Sequence, residues 1–493
     1  MRPEHPVSSS RSRAGLPACL AVLALALGAC APTAFAGREP PRTELPTPTA
    51  SASSRGPLSQ TLTSYPRTPD TQWSFGAGDA DLTPAATTVT DPSLITSFVA
   101  GRTGAAPVNA QTVWVVAVTG GRPPTLVGLA QDTGRGVWTY APARGQLVNC
   151  AGRLAGDHLL CAVTSGGERP TYAVVALDPG SGRETGRFDL PFEPTGLRVA
   201  DGDLLVLMRT APDLYSRTPL PANPYRVARY TVAGVQVWTR DIPFAPTAAA
   251  LAGPASERIL ASSGIVGVEI RGSVYVLDRD DGAVRLQRPN AGATFVAVAG
   301  GALLDETALD ADGDPQSVRV TVLDGEGGTL ATLERHGVAP SLLHSERGSQ
   351  PLVVDASGQL ARLDPATGKT TGTGVAVGSA QDLEGASVIG DLLVVDNGVV
   401  LAAYSADTPG PPLWQAEPLF GAAAFSDGTD LYAIWYDDDA GTTSSLYGLR
   451  LADGSEEWRL PIEPGSPDSP AVLDHVGDRL VLISNGRIAA LVP

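Results

Sequence analysis

Beyond residue 70 the chain alternates short apolar runs with turn-forming residues. Asp203-Leu204-Leu205-Val206-Leu207-Met208 is one such run, and a helical period is poor throughout, so short β-strands are expected. One unit recurs: an apolar run, a turn with Asp or Gly, a glycine, and four positions later a bulky residue opening another strand. Four copies end in tryptophan: Gly134 with Trp138, Gly234 with Trp238, Gly410 with Trp414 and Gly454 with Trp458. Four more keep a glycine with an Asp four residues before it, at Asp178/Gly182, Asp278/Gly282, Asp324/Gly328 and Asp364/Gly368. Copies follow one another at mostly about 40 to 50 residues, the period of a four-stranded propeller blade.

The residue types suit that unit. Asp and Gly build the turn between third and fourth strands, where a side-chain-to-backbone bond or a positive φ is needed. A tryptophan opening the fourth strand can pack on the neighbouring blade. Thr71-Gln72-Trp73-Ser74-Phe75 reads as a solitary outer strand, and the run from Asp478 to Val492 reads as inner strands lacking one. Pairing the two closes a ring and removes exposed edges. The expected fold is all-β, a propeller over residues 71–493. Counting gives eight internal copies plus the split blade; eight blades are expected if one degenerate copy between 290 and 378 is not a full blade.

The N-terminus reads differently. Arg2, Arg11 and Arg13 precede an uncharged apolar run from Ala14 to Ala29, the n-region and h-region of an export signal. The run is shorter than the ~20 residues a spanning helix needs. It ends in Leu27-Gly28-Ala29-Cys30, which resembles the bacterial lipobox. That resemblance implies residues 1–29 as signal peptide and acylation of Cys30, and two or more acyl chains give stable membrane anchoring. Cleavage after Ala34-Phe35-Ala36 is the other reading. Ala31, not Asp, follows Cys30, which by the enteric rule favours the outer membrane. Residues 30–70, rich in Pro, Ser and Thr with no apolar period, read as a disordered tether.

Asp132-Thr133-Gly134-Arg135-Gly136-Val137-Trp138, Asp364-Pro365-Ala366-Thr367-Gly368 and Ala452-Asp453-Gly454-Ser455-Glu456-Glu457-Trp458 resemble the pyrroloquinoline-quinone (PQQ) repeat. With lipobox and tether, the layout is similar to the BamB family of outer-membrane assembly lipoproteins. That resemblance implies a non-catalytic docking platform without bound quinone, whose partners are envelope proteins or peptides. Trp73, Trp138, Trp238, Trp414 and Trp458 are then structural repeat residues. The quinoprotein dehydrogenases share the repeat but need a vicinal cysteine pair, calcium ligands and an Asp base; no two cysteines are adjacent here. A PQQ- or small-ligand-binding propeller, enzyme or sensor, is the alternative.

Composition narrows the rest. With 43% apolar and 18% charged residues the chain can bury a large core, and 55 glycines and 42 prolines fit many turns. A net charge of −17 opposes nucleic-acid phosphates. Of four cysteines, Cys150 and Cys161 flank a Gly156-Asp157 turn; in a hairpin they fall opposite one another, as a disulfide requires, and free buried thiols are the other reading. Asp310-Ala311-Asp312-Gly313-Asp314 alternates carboxylates like a calcium loop but has no Glu at the twelfth position. Asp437-Asp438-Asp439 and the proline-rich stretch Tyr215 to Tyr225 read as surface turns or binding loops. His5, His158, His336, His344 and His475 show no metal-ligand spacing. No cofactor or metal is expected, and no hydrolase or nucleotide motif occurs.

Overall fold

The run Leu204–Met208 shows why the strands lack simple alternation. Leu205 and Leu207 pack with Val266 and Val268 of the strand Ile265–Ile270, while Leu204, Val206 and Met208 pack with Leu160 and Val174 of the strands Leu159–Thr164 and Tyr172–Leu177. A sheet sandwiched between two others buries both faces, so its middle strands are apolar at every position. Each such side chain, fully withdrawn from water, contributes about 1.5–3 kcal/mol. The computed structural model describes residues 62–76, 79, 88–90, 108–110, 112–120, 122–167, 169–210, 223–244, 257–289, 292–309, 315–343, 350–380, 383–416, 425–436, 444–462, 471–484 and 486–493.

Among these, nine antiparallel sheets follow in chain order. Blades 1 to 8 hold residues 88–140, 146–190, 193–242, 257–288, 293–334, 337–376, 385–416 and 425–462. The first strands of blades 2 to 5 touch one another in turn, which places them at the narrow inner end. In blade 1 two short strands, Thr88–Thr90 and Val108–Ala110, share the inner position against Val113–Gly120. The ninth blade joins Val472–Val476, Arg479–Ser484 and Arg487–Val492 to the N-terminal strand Asp70–Gly76. Asp70 pairs with Val492 and Gly76 with Arg487, the closure expected from the two chain ends. Among the described residues no helix is long and apolar enough to cross a membrane.

The expectation of eight blades is corrected to nine. The two copies between 290 and 378 each form a complete four-stranded sheet, at 293–334 and 337–376. What degenerated there is the docking residue: Ala331 occupies the tryptophan's place and sits on Gly368.

The glycines of the repeat have a second reason beyond the turn. A Cβ on Gly182 would stand 2.4 Å from the Trp138 ring, and its φ is +67°. The same seat receives Trp73 on Gly134, Trp238 on Gly282, Trp414 on Gly454, and Phe188 on Gly234. Each tryptophan Nε1 also donates to the carbonyl three residues before that glycine: Gln131 (2.9 Å), Pro179 (2.9 Å), Arg279 (2.8 Å) and Leu451 (2.7 Å). Gly410 takes no such part; nothing lies within 4 Å of its Cβ position. The turn carboxylates behave as expected. Asp178, Asp364 and Asp453 accept bonds from Ser181, Thr367 and Ser455, which hold them below the usual carboxylate range.

In seven outer strands the register slips by one residue at the docking position; Gln72, Val137, Thr185, Val237, Arg285, Leu330 and Glu457 are the residues passed over. Such bulges twist an open edge and hinder pairing with a second sheet. Cys150 and Cys161 face each other across the first two strands of blade 2 and are joined in a buried disulfide.

Candidate functional site

Trp458 opens blade 8's fourth strand, but the closing blade lacks the third-to-fourth turn that would receive it, because its fourth strand comes from the N-terminus. Tyr65 supplies the missing acceptor: Trp458 Nε1 donates to its carbonyl at 2.5 Å. Tyr65 is wholly buried. Its N–H donates to Tyr432 Oη (2.9 Å), while its hydroxyl accepts from Leu480 N (3.0 Å) and donates to the Leu491 carbonyl (3.1 Å). Thr63 continues the attachment, its N–H bonding the Asp478 carbonyl at 2.8 Å and its hydroxyl the Asp478 carboxylate at 3.0 Å. The packed body therefore starts ahead of residue 71, within the stretch read from sequence as tether.

Below this latch lies an acidic pair. Asp427 accepts the Tyr432 hydroxyl at 2.8 Å and the Asp430 N–H at 2.8 Å. Asp430 is 3% exposed and its Oδ1 has no hydrogen-bond partner. Burial, then the charges of Asp427 and Glu457, push it up to about 6. Burial likewise raises Tyr432 and Tyr65. A carboxyl whose folded value exceeds its unfolded 3.8 binds its proton more tightly when folded, so its stability contribution falls as pH rises from about 4 to 6. Asp430→Asn is expected to raise the melting temperature by a few degrees at pH 8 and hardly at all at pH 4, a difference of order 1–3 kcal/mol. Equal melting shifts at both pH values would contradict it.

A cleft of about 390 Å³ opens between the closing blade and blade 1, lined by Asn109, Trp114, Gln131, Val476, Asp478 and Arg479. Gln131 Nε2 donates to Asn109 Oδ1 at 2.6 Å, and Arg479 Nη1 donates to Gln72 Oε1 at 2.8 Å. Amides, one carboxylate and one guanidinium can hold a small polar group.

Three acids on or beside the inner strands clasp neighbouring blades. Glu257 of blade 4 accepts Arg209 Nη2 (2.9 Å) and Tyr225 Oη (2.8 Å), both from blade 3. Burial and that carboxylate raise Tyr225. Glu269 accepts the Phe295 N–H of blade 5 at 2.6 Å. Glu306 of blade 5 accepts Arg288 Nε from blade 4 (2.6 Å) and Arg319 Nε from its own sheet (2.7 Å). Sequence reasoning missed all three and Tyr65; a lone tyrosine after Leu62-Thr63-Ser64 was the one signal for the latter.

Among the described residues no three His, Cys, Asp or Glu side chains stand together as metal ligands would. His158 meets Thr185 Oγ1 (3.3 Å), His336 meets the Glu334 carbonyl (2.8 Å), and His475 lies edge-on to Phe425, each apart from the others. Cys30, Asp310–Asp314, Asp437–Asp439, His5, His344 and most of Tyr215–Tyr225 lie outside the described residues. In the chain, Asp310–Asp314, Asp437–Asp439 and residues 215–222 each fall between the second and third strands of a blade.

A family model for the PQQ repeat, described as outer membrane protein assembly factor BamB, matches residues 225–460, from blade 3 through blade 8. Over those residues the chain matches the PQQ-repeat family, and its fold is a β-propeller. The propeller is similar to solved BamB from Moraxella catarrhalis at 14% identity, over 83% of this chain and 99% of that one, with a TM-score of 0.43. It is similar to quinohemoprotein alcohol dehydrogenase from Comamonas testosteroni at 12% identity (78% and 74% covered, TM-score 0.38) and to Saccharomyces cerevisiae Sqt1 at 12% (86% and 100%, 0.41). No curated protein matches the sequence.

Proposed function

We propose that this propeller is a non-catalytic scaffold of the bacterial cell envelope, held at the membrane by a lipid on Cys30, that binds another protein or peptide. The family match supports a docking platform. One observation of this structure carries the reading. Of seven exposed large apolar residues among those described, Val137, Val235, Val237, Val284, Leu330 and Leu413 lie in, or one residue ahead of, an outermost strand. Single exposed apolar residues are ordinary, but their concentration on one structural position makes the rim a contact surface. Strand addition is a mode such an edge permits.

Native protein extracted from membranes and purified with its partners tests this. An intact mass showing acylated Cys30, together with a stoichiometric protein partner, is the expected result. An unmodified N-terminus and no partner would sink the proposal. A second reading, binding of a small polar ligand, is favoured by the cleft at Asn109 and Arg479; quinone absorbance or calcium-dependent stability in the purified protein would turn the assignment that way.

A further inference from the structure

Charge is distributed very unevenly around the ring. Residues 88–288, which hold blades 1 to 4, carry 19 arginines against 17 Asp and Glu, a net +2; residues 289–493 carry nine Arg and Lys against 29 acids, a net −20. A molecule of net charge −17 is thus an acidic half joined to a nearly neutral one. The rim of the neutral half exposes a group of valines: Val235 at 62%, Val237 at 47% and Val284 at 41%. Trp238 and Arg240 hold the strands bearing them together, Trp238 Nε1 on the Arg279 carbonyl (2.8 Å) and Arg240 Nε on the Gly282 carbonyl (2.9 Å). Arg240 is exposed and has no carboxylate partner among the described residues.

We infer that the outer strand Gln236–Ile242, with Val235, Val284 and Arg240 beside it, docks an extended segment of a partner protein bearing alternating apolar and carboxylate side chains. This rests on the scaffold reading and gives it a place and a chemistry. The valines offer apolar contact, and past the bulge at Val237, which hinders pairing only at the start of the strand, the outer edge from Trp238 to Ile242 offers unpaired backbone groups. Arg240 supplies the charge that a carboxylate can meet in fork geometry. The acidic half repels such a segment and so directs it here, while at physiological salt a screening length of about 8 Å confines that repulsion to its own side.

The test uses the full chain at about 0.15 M salt and two soluble nine-residue peptides, one alternating valine and glutamate, the other valine and lysine. The glutamate peptide is expected to bind. Val237→Asp and Arg240→Glu should each weaken it about tenfold or more, and Leu330→Asp, on the acidic half's rim, should leave it unchanged. Unaltered melting temperatures establish that the variants are folded, and Val235→Asp serves should Val237→Asp not be. No binding of the glutamate peptide, binding indifferent to these substitutions, or binding of the lysine peptide alone would overturn the inference. A protein that co-purifies equally with wild type and Val237→Asp would remove this surface and leave the scaffold reading standing.

Discussion

Replacing Tyr65 by alanine is expected to cost about 3–5 kcal/mol of stability, the range for deleting a fully buried aromatic side chain. The ring lies edge-on to Tyr432 at a centroid distance of 5.5 Å and packs in the cluster that joins blade 8 to the closing blade. Its hydroxyl is the shared partner of Leu480 N–H and Leu491 C=O, so alanine also leaves two buried backbone groups without their bonds. Tyr65→Phe keeps the ring and removes only those bonds, and about 1–3 kcal/mol is expected. Urea unfolding of both variants separates the two contributions. An alanine variant as stable as wild type would mean that the segment ahead of Asp70 lies on the ring without holding it.

Glu306→Gln is expected to cost about 1.5–3 kcal/mol, the range for charge-assisted hydrogen bonds, because it removes the shared carboxylate of two guanidiniums that are themselves partly exposed to water. The Glu306 side chain is 2% exposed and stands between two guanidiniums, Arg288 of blade 4 and Arg319 of its own blade. An amide of the same shape loses the charge and turns an NH2 group toward one of them. Replacing all three residues by apolar ones should recover much of the loss, as removal of whole buried ion clusters does. The triple variant measured beside the single one decides: equal destabilisation of both would show that packing, and not unpaired charge, sets the cost.

The repeat was legible because its signal is local. Gly182 and Trp138 are seat and occupant in neighbouring blades, yet each belongs to its own turn-and-strand unit, so spacing along the chain disclosed both. The Cys150–Cys161 bridge was legible for the same reason, lying within one hairpin. The blade number was misjudged because Ala331 replaced the residue that marks the unit while the strands around it persisted. Glu257, Glu269 and Glu306 were invisible since each looks like an ordinary strand carboxylate until the next blade's Arg or N–H is placed beside it. Tyr65 was hidden by its surroundings, as the proline and serine near it argue against any packed role.

The pairing of Asp70 with Val492 also fixes a timetable. Blades 1 to 8 are each made of strands contiguous in the chain and can assemble in the order in which synthesis delivers them. The ninth has three strands at the very end of the sequence and its fourth at the beginning of the body, so the N-terminal strand emerges first and is placed last. Until then it is an unpaired edge, and the contact that joins it spans some 420 residues of sequence, made only once the blades between have brought the two ends together. A circular permutant that joins Val492 to Asp70 through a short linker and opens between blades would turn this last, distant step into a hairpin. It should refold faster than the natural order of the chain permits.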